Sequence, residues 1–198
     1  MLDDEELIRR ISKKDSEAFE QFVLRYQSKV LNLCYGLLDD YQQAEEAAQD
    51  VFVQIFQKAL TFRHESKVSS WVYRIAVNRS LNLIRHEKKL RWMKKAGFTQ
   101  LDGYQTEKIP IEPYKDEPGA LFEQKEAMQS LRKAIDNLSN KQKTVFILNQ
   151  FEGLSIEEIS EILKVSVNTV EVRIHRAKRK LRHILTGQIK KTDKQKKL

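Results

Sequence analysis

Every proline of this chain falls in one window. Pro110, Pro113 and Pro118 all lie between positions 97 and 119, with Gly97, Gly103 and Gly119, and only Gly36, Gly153 and Gly187 fall elsewhere in the 198 residues. Proline fixes φ and removes a backbone donor, so no regular helix runs through that window. Outside it, almost nothing interrupts a helix. So few turn residues also disfavour a turn-rich β fold and a glycine-rich phosphate loop. The expectation is an all-α chain of two small helical domains, 1–95 and 123–186, joined by a flexible linker over 96–122. A basic tail, 187–198, has no apolar period and is expected to be disordered.

The apolar periodicity fills in both blocks. Leu2 to Ile11 is a short amphipathic stretch. Phe19, Phe22, Val23, Tyr26, Val30, Leu33, Cys34 and Leu37 recur at three and four, making one apolar helical face with Ser16 as its expected N-cap. Gln42 to Leu60 follows, then a helix capped by Ser69 or Ser70 and running towards Arg91. In the second block, helices are expected over Leu121–Leu138 and Asn140–Asn149. Ser155-Ile156-Glu157-Glu158 then has the form of a capping box opening a short helix. After the turn Lys164-Val165-Ser166, with Ser166 as cap, a last helix runs to about Leu185.

Several classes are excluded by what the chain lacks. One cysteine, Cys34, cannot make an internal disulfide framework or a cysteine-based zinc site, and it sits on an apolar face as a core thiol. Four histidines without cysteine partners leave little for a structural metal, so no cofactor or metal is expected. No apolar run approaches the ~20 residues that span a bilayer, so no direct membrane insertion is expected. The acidic start, Met1-Leu2-Asp3-Asp4-Glu5-Glu6, is neither a secretory nor a transit signal, which points to the cytoplasm.

The formal charge of +8 is unevenly placed. Residues 1–60 hold seven Lys and Arg against twelve acids; 85–95 hold six against Glu87 alone; 164–198 hold twelve against two. An acidic head with two basic islands suits a polyanionic partner, nucleic acid above all.

Three constellations carry the functional reading. The first is 153–182, a short helix, a tight turn and a longer basic helix, which is the helix-turn-helix pattern. In its second helix Val170, Ile174, Ala177 and Leu181 form the buried stripe. Val172, His175, Arg176 and Arg179 lie about half a turn away, flanked by Glu171, Lys178 and Arg182. Arginine can fork onto a guanine edge, Val172 can touch a thymine methyl, and flanking cations can meet phosphates.

The second constellation is 43–56, where Phe52, Ile55 and Phe56 face inward, with Ala59 beyond, and Glu46, Gln49 and Asp50 share another face. Paired carboxylates can serve acid–base chemistry, but no nucleophile, metal ligand or phosphate loop accompanies them. A face for a basic protein partner fits better.

The third constellation runs from Phe62 to Lys95. Its aromatics, amides and basic run (Phe62, Asn78, Arg79, Arg85, Lys88) suit unstacked bases and a single-stranded backbone. Trp71 reads as core; Trp92 reads either as a stacking platform or as a hydrophobic anchor. On the residues alone, two other readings stay open. One is a polymerase-independent regulator that binds duplex DNA as a dimer. The other is a helical enzyme using Glu45, Glu46 and Asp50.

Taken together, Ala44–Phe56, Trp71–Asn82, Gly153–Ser160 and Thr169–Ala177 resemble, in order and spacing, the conserved segments of bacterial RNA polymerase sigma factors of the extracytoplasmic-function group, in the sigma-70 family. The resemblance implies an alternative sigma factor, not an enzyme. It would bind core RNA polymerase, direct it to a small set of promoters and leave after initiation. By position, Glu46, Gln49 and Asp50 match the cluster that docks on the clamp helices of the largest subunit. Phe62 and Asn78 match positions that capture a base of the −10 element, with Arg79, Arg85 and Lys88 beside them. Thr169, Glu171, Val172, Arg173, His175, Arg176, Lys178 and Arg179 fall on the helix that reads the −35 element. That domain would rest on the flap of the second-largest subunit. Glu171 and Val172 stand where the family often has a basic residue and a serine; a carboxylate there could accept from cytosine N4. An anti-sigma factor is the partner such proteins usually have.

Overall fold

The computed structural model describes residues 2–96 and 121–195, with side chains over 2–96 and 128–187. Among the described residues there are eight α-helices and no strand. They form two compact units, one built on α1–α4 and one on α5–α8.

In the first unit, α1 (Asp4–Ser12), α2 (Ser16–Leu38), α3 (Tyr41–Lys58) and α4 (Val68–Lys95) pack together, with a short 3-10 turn at Ala59–Thr61 after α3. Three of these helices open on aspartate caps. Asp3, Asp15 and Asp40 each accept a hydrogen bond from a backbone N–H three residues on, meeting a donor that has no partner within the helix. Ser16, expected as the cap of α2, is instead its first residue. Aspartate one position earlier carries a full charge and complements the helix dipole as well as the orphan N–H. Arg10 also bonds the Asp15 carboxylate at 2.7 Å, and together these contacts hold its acid below the ordinary carboxylate range. Nor does Ser69 or Ser70 cap α4, which starts at Val68 with no side-chain cap. Ser70 turns inward and is buried.

The apolar face of α2 is the centre of this unit. Phe22, Tyr26, Val30, Leu33, Cys34 and Leu37 are buried, and they meet Leu7, Ile8 and Ile11 of α1, Val51 and Ile55 of α3, and Val72 and Ala76 of α4 in one core. Phe22 and Tyr26 stack at 4.7 Å between ring centroids. The Tyr26 hydroxyl donates to Asp4, and burial together with that carboxylate pushes the phenol well above its usual range. Arg25 reaches the same carboxylate at 2.5 Å and the Leu2 carbonyl at 2.8 Å, which straps the start of the chain to α2.

In the second unit, α5 (Leu121–Asp136), α6 (Asn140–Gln150) and α7 (Ile156–Leu163) precede α8 (Val167–Gln195), and α8 packs on α5 and α6. Ala134, Ile135, Leu138, Phe146, Ala177 and Leu181 form a core cluster, extended by Leu131, Ile184 and Leu185. A buried Lys143 reaches Asp136 at 2.7 Å, so its ammonium is paired where water is scarce. Lys180 of α8 donates to the Asn137 carbonyl at 2.6 Å, just beyond the C-terminal end of α5, where helix carbonyls lack partners.

The expected linker begins one residue after α4 and ends with two residues that open α5; its span 97–120 lies outside the described residues. The bounds of the last helix run into the segment 187–198 set apart as the tail. Helix α8 continues to Gln195 and takes in most of the segment expected to be disordered. Its lysines, glutamines and threonine carry only small helix penalties and no proline intervenes. Adding residues to an existing helix is far cheaper than nucleating one, so the single Gly187 does not stop it.

Burial pushes the Cys34 thiol up to about 11, only partly offset by a hydrogen bond from Ser80. The native chain should therefore resist alkylation of Cys34 at neutral pH and become reactive only on unfolding, which mass spectrometry before and after urea would show. Phe22→Ala should cost the first unit about 3–5 kcal/mol in denaturant unfolding, because a fully buried ring leaves a cavity.

Candidate functional site

The acidic patch is set by one helix. Glu46, Gln49 and Asp50 stand at i, i+3 and i+4 on α3, so they share a face. The opposite face of α3 is buried through Ala44, Ala47, Ala48, Val51, Phe52 and Ile55. Glu46 and Gln49 are exposed and Asp50 is half-buried. Gln42 Nε2 lies 3.3 Å from Glu46. Val53, one turn on from Gln49, is 53% exposed, leaving an apolar side chain beside the polar cluster.

Helix α4 presents the second set. Its first half is core, through Val72, Tyr73, Ile75, Ala76, Val77 and Ser80. From Asn78 onward one side faces water, and Asn78, Arg85 and Lys88 lie along it, exposed, at seven and three residues. The only acid of the basic run, Glu87, is drawn back towards α3. It accepts from Gln43 at 2.7 Å and from Arg91 at 3.0 Å, so the outer side of α4 stays positive. Trp92 is 65% exposed at the end of this face.

Phe62 follows the 3-10 turn and is half-buried in the loop before α4. It has ring partners that the sequence did not announce as a group: Trp71 at 5.0 Å and His64 at 4.8 Å between centroids. Trp71, expected in the core, is half-buried because it covers Phe62. His64 has a positive φ of 57°, which bends the loop so that its ring returns over Phe62. The signal was present as Phe-x-His followed by a tryptophan seven residues on, but only the turn geometry brings the three together.

Packing of α3 beside α4 joins the two sets at one point. Arg79 and Asp50 form an ion pair. Thus one residue expected at a protein-docking face and one expected at DNA neutralise each other.

The helix-turn-helix lies in the second unit. Gly153 takes φ +67°, a conformation that glycine adopts without strain, and turns the chain out of α6. The capping box is formed: Ser155 Oγ accepts from the Glu158 N–H at 3.1 Å, and Glu158 accepts from the Ser155 N–H at 3.1 Å. Lys164, with φ 52°, makes the turn, and Ser166 Oγ accepts from the Thr169 N–H at 3.2 Å to open α8. Val170, Ile174, Ala177 and Leu181 are buried. Glu171, Val172, His175, Arg176, Lys178 and Arg179 are exposed along the outer side, while Thr169 and Arg173 are half-buried at its edges. The outer side carries three arginines or lysines against Glu171 alone. It is a protruding, positively charged helix of the width that a major groove admits.

Among the described residues no group of three His, Cys, Asp or Glu is placed to hold a metal, and no helix is long and apolar enough to cross a membrane.

An acidic face beside an aromatic and basic helix, with a helix-turn-helix in the other unit, is the make-up of a two-part DNA-binding transcription factor. The comparisons with known proteins make that class specific. Residues 22–90 match Sigma-70 region 2 and residues 128–181 match Sigma-70, region 4. The chain is 33% identical to the ECF RNA polymerase sigma factor SigW of Bacillus subtilis, over 88% of its own length and 92% of that protein. It is 29% identical to the RNA polymerase sigma-H factor of Pseudomonas aeruginosa over 88% and 90%. Two solved structures share the fold. CnrH in complex with the cytosolic domain of CnrY matches at TM-score 0.67 and 20% identity, over 93% of this chain and 97% of that one. The sigma factor RpoE in complex with the anti-sigma factor NepR, from Bartonella quintana, matches at 0.65 and 23%, over 85% and 96%.

The chain belongs to the extracytoplasmic-function group of RNA polymerase sigma factors, the specificity subunits of transcription initiation, whose regions 2 and 4 bind the −10 and −35 promoter elements.

Ser166→Ala should lower the stability of the second unit by about 1 kcal/mol, since it removes the cap of α8. Urea unfolding followed by circular dichroism measures it.

Proposed function

We propose that this chain binds core RNA polymerase through Glu46, Gln49 and Asp50, and reads promoter DNA with two separate surfaces. Domain 1–95 docks on the clamp helices of the largest subunit and recognises the −10 element. Phe62, backed by Trp71 and His64, receives an unstacked base. Asn78 hydrogen-bonds to a base, while Arg79, Arg85 and Lys88 hold the backbone. Local unpairing costs a few kcal/mol, offset by stacking and by these contacts. Domain 123–186 rests on the flap of the second-largest subunit. It reads the −35 element with Val172, His175, Arg176 and Arg179 towards the base edges, and with Thr169, Arg173 and Lys178 nearer the phosphates. Glu171 prefers a cytosine N4 donor to a phosphate oxygen. The chain makes and breaks no bond itself. It acts in the cytoplasm, where an anti-sigma factor holds it until its signal arrives.

The observation that carries this reading is the separation of charge on α3 and α4. One face is acidic, for a basic protein partner, and one is basic, for a polyanion, on two helices packed side by side. A dimeric regulator would need no acidic docking face.

The test is run-off transcription with purified core polymerase on a pool of promoters. Start sites should appear with the wild-type chain and disappear with Gln49→Ala/Asp50→Ala. Tight duplex binding by the chain alone, with no new start sites, would leave the polymerase-independent regulator in its place. Within the same assay, Arg176→Ala should weaken promoter use by about 1–3 kcal/mol if it forks onto a guanine, with relaxed preference at one −35 position.

A further inference from the structure

We propose that Trp92 is a second stacking platform for nucleic acid, one that receives an unpaired base at the far end of α4. This rests on the reading above of the outer side of α4 as a DNA surface, and adds a contact about 21 Å along the helix from Asn78. Three observations point to it. Trp92 follows Arg85 at seven residues and Lys88 at four, so it continues the stripe that Asn78 begins. Its indole is 65% exposed and, among the described residues, has no ring, cation or hydrogen-bond partner, whereas Trp71 lies against Phe62. And cations surround it: Lys88 and Lys89 stand one turn before it and Lys95 one turn after, all exposed, while Glu87 is held back by Gln43 and Arg91.

The chemistry selects the occupant. A protein anchor is an apolar side chain among apolar neighbours, but the apolar residues beside Trp92, Leu90 and Met93, are half-buried on other sides of the helix. Surrounding cations repel a basic partner and attract a polyanion. An indole adds a flat π-face, on which a base stacks and a phosphate does not. In a duplex both faces of each base are already stacked, so the base that Trp92 receives is unpaired. Lys88 and Lys95 hold the backbone on either side of it. Because every base has a π-face, this contact adds affinity without preference for sequence. Phe62 and Asn78 select, and Trp92 lengthens the grip on the opened strand.

The experiment measures binding by the full chain in two settings. In one the chain alone meets a fluorescein-labelled oligothymidine strand at low salt. In the other it is assembled with core polymerase on promoters recovered from the run-off pool, with the −10 element premelted by mismatches. Trp92→Ala should weaken binding about five- to one-hundred-fold in at least one setting, the worth of one base–aromatic stack. Trp92→Phe keeps a flat ring and should keep most of the affinity. Trp92→Leu, apolar but not flat, should lose it as Trp92→Ala does. The slope of affinity against salt should stay the same in all three, since no charge is removed, whereas Lys88→Ala should lower it by about 0.7. In the Trp71→Phe chain Trp92 is the one tryptophan left, and saturating single strand should quench its emission. Full affinity with Trp92→Ala in both settings, unchanged emission at saturation, or an equal loss on a fully paired duplex would overturn the proposal. Rescue by Trp92→Leu would also overturn it, and would mark an apolar anchor instead. The reading of α4 as a promoter surface is judged separately, by run-off transcription with the wild-type chain. Start sites with no effect of Trp92→Ala would sink the platform alone; no start sites, with single-strand binding that Trp92→Ala weakens, would sink the promoter reading alone.

Discussion

In the first unit, the arrangement of the candidate surfaces follows from the burial of one face of α2. Phe22, Val30, Leu33 and Cys34 have no exposed surface, and α1, α3 and α4 each pack on that helix. With α2 as the shared support, α3 and α4 have little freedom to slide past each other. Asp50 therefore meets Arg79, and Gln43 meets Glu87. Small residues make the approach possible: Ala44, Ala47 and Ala48 on α3 and Ala76 on α4 are buried. A larger side chain at any of them would overpack the core and separate the acidic face from the basic one.

Charge is then sorted by helix. The acids of the first unit gather at helix starts and on α3, while the second half of α4 is basic. Aspartate caps do two things here: they close the ends of α1, α2 and α3, and they keep negative charge at the N-termini, where the backbone dipole favours it. The acids left over on exposed helix faces are few, and Glu46 and Asp50 are two of them. The single acid of the basic run, Glu87, is turned back by two hydrogen bonds. What remains outward on α4 is a positive side that ends in an exposed tryptophan.

Much of this was legible in the sequence, because the controlling signals are local. The proline window marked the two helical blocks. The spacing of three and four gave the buried stripes of α2 and α8, and Ser155, Glu158 and Ser166 announced the caps they form. What was missed depended on partners far apart in the chain or on competition between neighbours. Asp15 displaced Ser16 as a cap because a charged acceptor beats a hydroxyl, and Ser70 was drawn into the core. The Asp50–Arg79 pair joins residues twenty-nine positions apart. The cluster of Phe62, His64 and Trp71 depends on a left-handed turn at His64 that no propensity for histidine would suggest.

The Asp50–Arg79 pair is kept weak by its position at the edge of the packed helices. A partly exposed ion pair contributes about 0.2–1 kcal/mol, because water screens it and two long side chains lose freedom to form it. A fully buried pair would cost several kcal/mol to break. How shallow the carboxylate sits is set by α2, which fixes the spacing of α3 and α4 packed on it.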